Sequence, residues 1–325
     1  MTDFVSWNRT VDWIINTQGR WYGIGTGDGE PIMTLPEPLE PSSAPKVWMS
    51  MQDIKVTIPT QGEHGPHATV DRLITQHLTR VDGGLFVPAT DEELTLMVAD
   101  RGRNGTVVRR AGVISHAVGH DPDDAGMPVS MTIHAADLME VWHTWPCPSF
   151  PLSWWMTTMR EYTTDESGVA YTTPRQLALV EMATTADGYT KYGPAETVIR
   201  ELIQQSLDAV ASTTTDPDGT LWVDNPFHVV DLAPTGNPSK GIYIEVRDGT
   251  LWETISPQAQ NAGVLLGYRV WWPGDPPVRS WQLANSTMTP EQVDLTPEVG
   301  LPYRQVVDQT FEHPMIVLTA DQIGG

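Results

Sequence analysis

The chain has 325 residues, enough for two domains of ordinary size, each burying its own core. Nineteen Lys and Arg stand against 41 Asp and Glu, a net charge of −22, which repels phosphate backbones and anionic headgroups and argues against tight nucleic-acid binding. The single cysteine, Cys147, sits between two prolines, cannot close an internal disulfide and reads as a packing residue rather than a nucleophile. No basic start followed by an apolar core occurs before Gly29, and the most apolar stretch, residues 264–272, is too short for a bilayer and contains Arg269. Synthesis in the cytosol without stable membrane insertion is expected. Without a secretion signal, the sequons at Asn8, Asn104 and Asn285 read as chance matches.

The first 35 residues read as a hairpin, with Val11–Asn16 and Arg20–Ile24 flanking Thr17-Gln18-Gly19. The glycine-rich run from Gly23 to Gly29 has no following Lys-Ser/Thr pair and is better explained as a hairpin end than as a phosphate loop. Leu35–Pro45 carries four prolines and is expected to run extended as a connector. Alternation from Lys46 to Ile58 slips near Gln52, which predicts a strand with a bulge or a break. Residues 68–78 place Val70, Leu73, Ile74 and Leu78 at helical spacing. Strands from Glu93 to Asp100 and from Thr106 to Ser115 flank Arg101-Gly-Arg-Asn-Gly105, where Asn-Gly suits a tight turn.

A cassette of extended segments, polar turn and short amphipathic helix then occurs twice. In its first copy, strands Val107–Ala117 and Val129–His134 flank the polar segment 121–126, and a helix carrying Leu138, Val141, Trp142 and Trp145 stops at Pro146. In its second copy, Ile242–Arg247 is a strand and Thr250–Glu253 has the T-x-x-E capping-box pattern. Gly263 ends that helix before strand alternation resumes over residues 264–272, and Pro257 is expected to kink or split it. Between the copies, Pro174–Thr184 reads as a helix, and Gly193-Pro194 opens another with Val198, Ile199, Leu202, Ile203, Leu207 and Val210 on one stripe. Ser212–Gly219 reads as a polar loop and Pro273–Pro277 as a turn. The fold expected is α+β and β-rich, in two sheet-plus-helix modules, residues 1–165 and 166–325, with the boundary near Asp165–Gly168.

Chemistry-bearing clusters are sparse. Glu63, His64 and His67, with His77 further on, have metal-like residue types, yet Gly65-Pro66 favours a turn over a helix presenting two rings. His116, His120, His134 and His143 fit strand and helix faces without forming a site. The carboxylates at Asp91-Glu92-Glu93 and Asp123-Asp124 fall in turns, where solvation accounts for them better than a glycosidase pair. No G-x-S-x-G or H-E-x-x-H motif occurs. No catalytic residue, metal or cofactor is expected. Thirteen tryptophans are the compositional oddity. Indoles are enriched at interfaces, so the paired Trp154-Trp155 and Trp271-Trp272 are candidate interface residues. Strand parity predicts that one of Trp271 and Trp272 is core and the other faces outward.

Val108–Ile114 and Met131–Leu138 resemble the first module of tail-hub, or minor tail, proteins of long-tailed bacteriophages. Gly193–Ile199, and Thr250–Ile255 through Asn261–Gly263, resemble the later module, particularly in phages of actinobacteria. The likeness covers about residues 95–320. It implies two β-barrel-like hub modules with short helices, the second preceded by a helical connector. It also implies a virion tail-tip location and a homotrimer joined to a ring of distal tail protein, to the tape-measure protein and to other minor tail proteins. Such a hub closes the conduit through which DNA passes, and the acidic surplus suits a wall that does not grip DNA. Many relatives continue into receptor-binding or wall-cutting domains, whereas these residues end after an expected strand, so neither activity is expected of them. The alternatives are a carbohydrate-binding or glycan-hydrolysing tail-tip protein, motivated by the tryptophans and acidic turns, and a distal tail protein forming hexameric rings.

Overall fold

The computed structural model describes residues 2–40, 49–62, 65–66, 69, 79–82, 85–88, 93–102, 105–120, 128–149, 159–178, 189–214, 228–281, 293–295, 302–304 and 306–324. The fold is α+β and β-rich, as expected. The chain forms two compact units. The first comprises residues 1–140, 268–275 and 312–315, and the second comprises residues 141–267, 276–311 and 316–325. Apart from the buried Thr69, the helix expected over residues 68–78 lies outside the described residues, as does the polar turn 121–126.

The first unit opens with α1 (Phe4–Gln18), where a hairpin strand was expected. The sequence supports the helix on three counts. Phe4, Trp7, Val11, Ile14 and Ile15 recur at helical spacing, and Val11, Ile14 and Ile15 are buried. Asp3 caps the start by accepting from the Ser6 N–H, and Gly19 ends the helix in the left-handed region at φ 85°. Thr17-Gln18-Gly19 is thus a helix end rather than a hairpin turn. The second expected strand does form, as β1 (Arg20–Thr26), and pairs with β2 (Pro31–Thr34) around the glycine-rich run.

Four further strands complete a sheet: β3 (Ile54–Pro59), β4 (Leu94–Arg101), β5 (Val107–His120) and β6 (Ser130–Asp137). Its order is β2-β1-β4-β5-β6-β3, with every neighbour antiparallel. β4 and β5 form the expected hairpin, and β3 starts just beyond the predicted break at Gln52. Period-two alternation sends each strand's side chains to two faces. Ile24, Ile54, Val56, Ile58, Leu96, Val98, Met131 and Ile133 pack together in one cluster. Trp21, Met97, Ala99 and Ala111 pack with Val11, Ile14 and Ile15 of α1 and with Val270 and Trp272 in another. Gly23 is obligatory between these layers, because an added Cβ would lie 2.2 Å from the Trp21 indole.

The expected helix around Leu138–Trp145 is shorter than its apolar spacing suggests. A 3-10 turn over Leu138–Glu140 is followed by the single turn α2 (Val141–Thr144). Pro146 then enters a short bridge with Thr250.

In the second unit, residues 165–168, where sequence places a domain boundary, form the turn of a hairpin between β7 (Met159–Thr164) and β8 (Ala170–Ala178). Asp165 Oδ1 accepts from the Ser167 and Val169 backbone N–H groups and fixes that turn. Residues 174–178 are therefore strand, not the start of a helix. Tyr171, Thr172 and Thr173 suit a pleated surface, and Arg175 stacks at 4.4 Å over the Tyr171 ring.

Next, β9 (Tyr189–Pro194) leads into α3 (Ala195–Thr214), whose Val198, Ile199, Leu202, Ile203 and Leu207 are buried as the stripe predicts. Residues 212–214, expected in a loop, extend this helix. β10 (His228–Val230) pairs in parallel with residues 316–318. β11 (Gly241–Val246) pairs antiparallel with β9 and buries alternate residues Ile242, Ile244 and Val246. The expected capping box holds the start of α4 (Leu251–Ala262): Thr250 accepts from the Glu253 N–H, and Glu253 accepts from the Thr250 N–H. This helix is not split at Pro257 but runs through it as one 12-residue element. Caps at both ends and the buried Leu251, Ile255, Ala259 and Ala262 offset the one backbone donor that proline removes. Gly263 takes the left-handed C-cap at φ 74°, and β12 (Val264–Trp271) follows.

Candidate interaction surfaces

The described tryptophan pair is core. Trp271 is 2% exposed and Trp272 fully buried, which corrects the expectation that one of them faces outward. Strand parity lapses because Trp272 lies past the end of β12, where Asp275 donates its backbone N–H to the Trp272 carbonyl at 2.9 Å and turns the chain. Trp272 meets Trp21 edge-on at 5.9 Å and tilts against Phe4 at 6.1 Å. Its indole N–H donates to the Gly29 carbonyl at 3.0 Å, satisfying the polar atom that burial would otherwise orphan. Trp154 and Trp155 lie outside the described residues.

Next to this cluster a buried cation is clasped. Arg109, 2% exposed, donates to Asp275 Oδ2 at 2.6 Å and to Asn8 Oδ1. Burial lowers its pKa and the Asp275 carboxylate opposes that. Asp275 also accepts the Trp272 backbone N–H, and Asn8 Nδ2 donates to the Pro273 carbonyl. The Asn8 sequon side chain is thus committed to structure at both ends. In the same unit the Tyr268 hydroxyl lies 2.6 Å from the Ala111 carbonyl and bonds the Asp137 carboxyl group, its one proton serving one of the two. Desolvation raises Asp137 above the usual carboxylate range and pushes the Tyr268 phenol well above its own.

The aromatics that do reach solvent were not singled out by sequence. Trp13 is 64% exposed on α1. On the second unit Tyr192 and Tyr243 are 81% and 57% exposed and sit opposite one another in the β9–β11 register. Cross-strand partners share a face, so the two phenols form one aromatic platform, beside exposed Thr190 and Glu245. The signal was available: in Gly241–Val246 the buried residues are Ile242, Ile244 and Val246, leaving Tyr243 on the opposite parity.

The remaining candidates are structural or isolated. Cys147 is buried, accepts from Ser206 Oγ at 3.5 Å, and burial pushes its thiol up to about 11, so it is no nucleophile at neutral pH. His143 tilts against Trp252 at 4.6 Å. Glu63, His64, His67, His77, Asp91, Glu92, Asp123 and Asp124 lie outside the described side chains, and Glu93 is exposed. Among the described residues no group of three or more His, Cys, Asp or Glu is arranged to hold a metal ion, and no helix is long and apolar enough to cross a membrane. Compared with known proteins, the chain matches no family model and no curated sequence.

Proposed function

We propose that this chain is a structural protein of a bacteriophage tail tip, without catalysis: a trimeric hub that joins the distal tail ring to the tip and closes the DNA conduit. The observation that carries this reading is the outward pair Tyr192 and Tyr243 on one sheet face. Large exposed aromatics are enriched where proteins bind one another. The net charge of −22 adds support, since an acidic wall lets DNA slide past without counterion-releasing contacts. The β-rich fold agrees with the resemblance of its strand and cap motifs to tail hubs, and distal tail protein and tape-measure protein are the neighbours that resemblance implies.

The test is the mass and symmetry of the purified protein by light scattering and negative-stain imaging, alone and mixed with its neighbouring tail proteins. A threefold particle capping a sixfold ring supports the hub. Sixfold self-assembly moves the reading to a distal tail protein. The same tyrosine platform also suits a sugar ring stacked on aromatic faces, the reading of a carbohydrate-binding tail-tip protein. A monomer that ignores the tail proteins and whose fluorescence shifts with cell-wall polysaccharide establishes that one instead.

A further inference from the structure

His116 of β5 faces His134 of β6 across an antiparallel pair, and the register slips between His134 and Ala135. The slip is a bulge that gives β5 one additional residue, Ser115, and it leaves Ser115 and His116 both exposed. The two imidazoles lie parallel, with centroids 4.4 Å apart and planes 10° from coincidence. Ser115 Oγ is 3.2 Å from the His134 carbonyl oxygen, to which it can only donate, and 3.0 Å from His116 Nδ1. A hydroxyl has one proton. That proton is directed to the carbonyl, so in the Ser115–His116 bond Nδ1–H is the donor and Nε2 keeps its lone pair. A second hydrogen bond of this kind orients the histidines that bind metals.

We propose that His116 and His134 form a two-imidazole site for a borderline divalent transition metal, Cu2+, Ni2+ or Zn2+, with Ser115 as the residue that positions His116. Imidazole nitrogen suits these ions. Cross-strand neighbours on one face hold their Cβ atoms about 5 Å apart, which two metal–nitrogen bonds of about 2 Å can bridge once the rings turn. His116 is exposed on the bulge and has room to turn. With no third protein ligand among the described residues, water or a chelator fills the other positions. Lys55 stands opposite His134 in β3 and opposes a bound cation, while Asp53 attracts one. The proposal is independent of the tail-hub reading.

The experiment is titration of the tag-free full chain with Cu2+–nitrilotriacetate at pH 7.5, read by electron paramagnetic resonance for coordinated imidazole nitrogen. Wild type is expected to take up one equivalent bound by two imidazoles. His116→Asn and His134→Asn should each lose that two-nitrogen signature. Ser115→Ala should weaken binding about tenfold, the cost typical of losing an outer-shell partner, and Lys55→Gln should tighten it. These last two variants keep both rings and test the site even if an imidazole substitution perturbs the sheet. Absence of imidazole coordination in wild type, or an unchanged spectrum and affinity in either asparagine variant, overturns the proposal.

Discussion

The guanidinium of Arg109 lies 4.2 Å from the centroid of the Trp272 ring while its Nη1 bonds Asp275 Oδ2 at 2.6 Å. Stacking and pairing are both oriented by the planar guanidinium, a geometry lysine cannot reproduce. Removing the acid leaves a buried cation uncompensated, which costs about 3–5 kcal/mol. Asp275→Ala should therefore lower the unfolding free energy measured in urea by an amount of that order, and Arg109→Lys should recover little of the wild-type stability relative to Arg109→Ala. A melt of Asp275→Ala that overlays wild type would show that the pair is energetically idle.

At the end of α4, Gln322 Nε2 donates to the carbonyls of Ala262 and Gly263, at 2.9 and 3.0 Å, two groups the helix itself leaves open. Gly263 holds φ 74°, which a β-branched residue adopts only with strain, although an added Cβ would meet nothing nearer than Gln322 at 3.5 Å. Gly263→Val should cost about 1–2 kcal/mol through backbone strain, and Gln322→Ala about 1–3 kcal/mol through the unsatisfied Ala262 carbonyl, since the Gly263 carbonyl still accepts from the Ile323 N–H. Denaturant melts of the two variants and their double mutant measure both effects. An undiminished Gly263→Val would exclude the left-handed cap.

Local chemistry with a single geometric solution was legible in the sequence. Thr250 and Glu253 announced a capping box, Gly263 a helix end, and Leu202 with its neighbours a buried stripe, and each is where its spacing placed it. Failures came where two periods fitted the same short run. Val11, Ile14 and Ile15 satisfy a strand fragment locally, and only the distant Phe4 and Trp7 with the Asp3 cap reveal a helix. Residues 174–178 lack strong periodicity, so pairing with β7 decided their state. Parity placed Tyr243 correctly in retrospect but misled at Trp272, because alternation holds inside a strand and not beyond its last residue. The bulge at Ser115 was invisible for a related reason: a register slip is a property of two strands together.

His228 in β10 packs against Trp145 at a ring separation of 5.1 Å, and burial pushes its pKa down to about 4. In the unfolded chain a histidine takes up its proton near pH 6.5. The folded state therefore holds fewer protons between those values. The stabilisation from a neutral His228 is complete above pH 6.5 and is lost as pH falls through 4, a change of about 3 kcal/mol. His228→Leu keeps the packing without the titration, so the difference between its stability and that of wild type should change by that amount between pH 7 and pH 4. Parallel urea melts at the two pH values measure it, and a constant difference would place His228 in water.

Tyr192 and Tyr243 contribute little to folding as exposed residues, since their strands bury the opposite face through Ile242, Ile244 and Val246. Truncating them separates assembly from stability. Tyr192→Ser with Tyr243→Ser should leave the thermal midpoint within the small range typical of surface changes. If the platform is a contact between chains, loss of two central aromatics costs at least about 2 kcal/mol of association, roughly thirtyfold in the dissociation constant. Sedimentation velocity over a concentration series reads that shift directly. Unchanged self-association and unchanged capture of the neighbouring tail proteins in the double variant would remove this face from the interface. If polysaccharide binding fell instead, the tyrosines would be reading sugar rings.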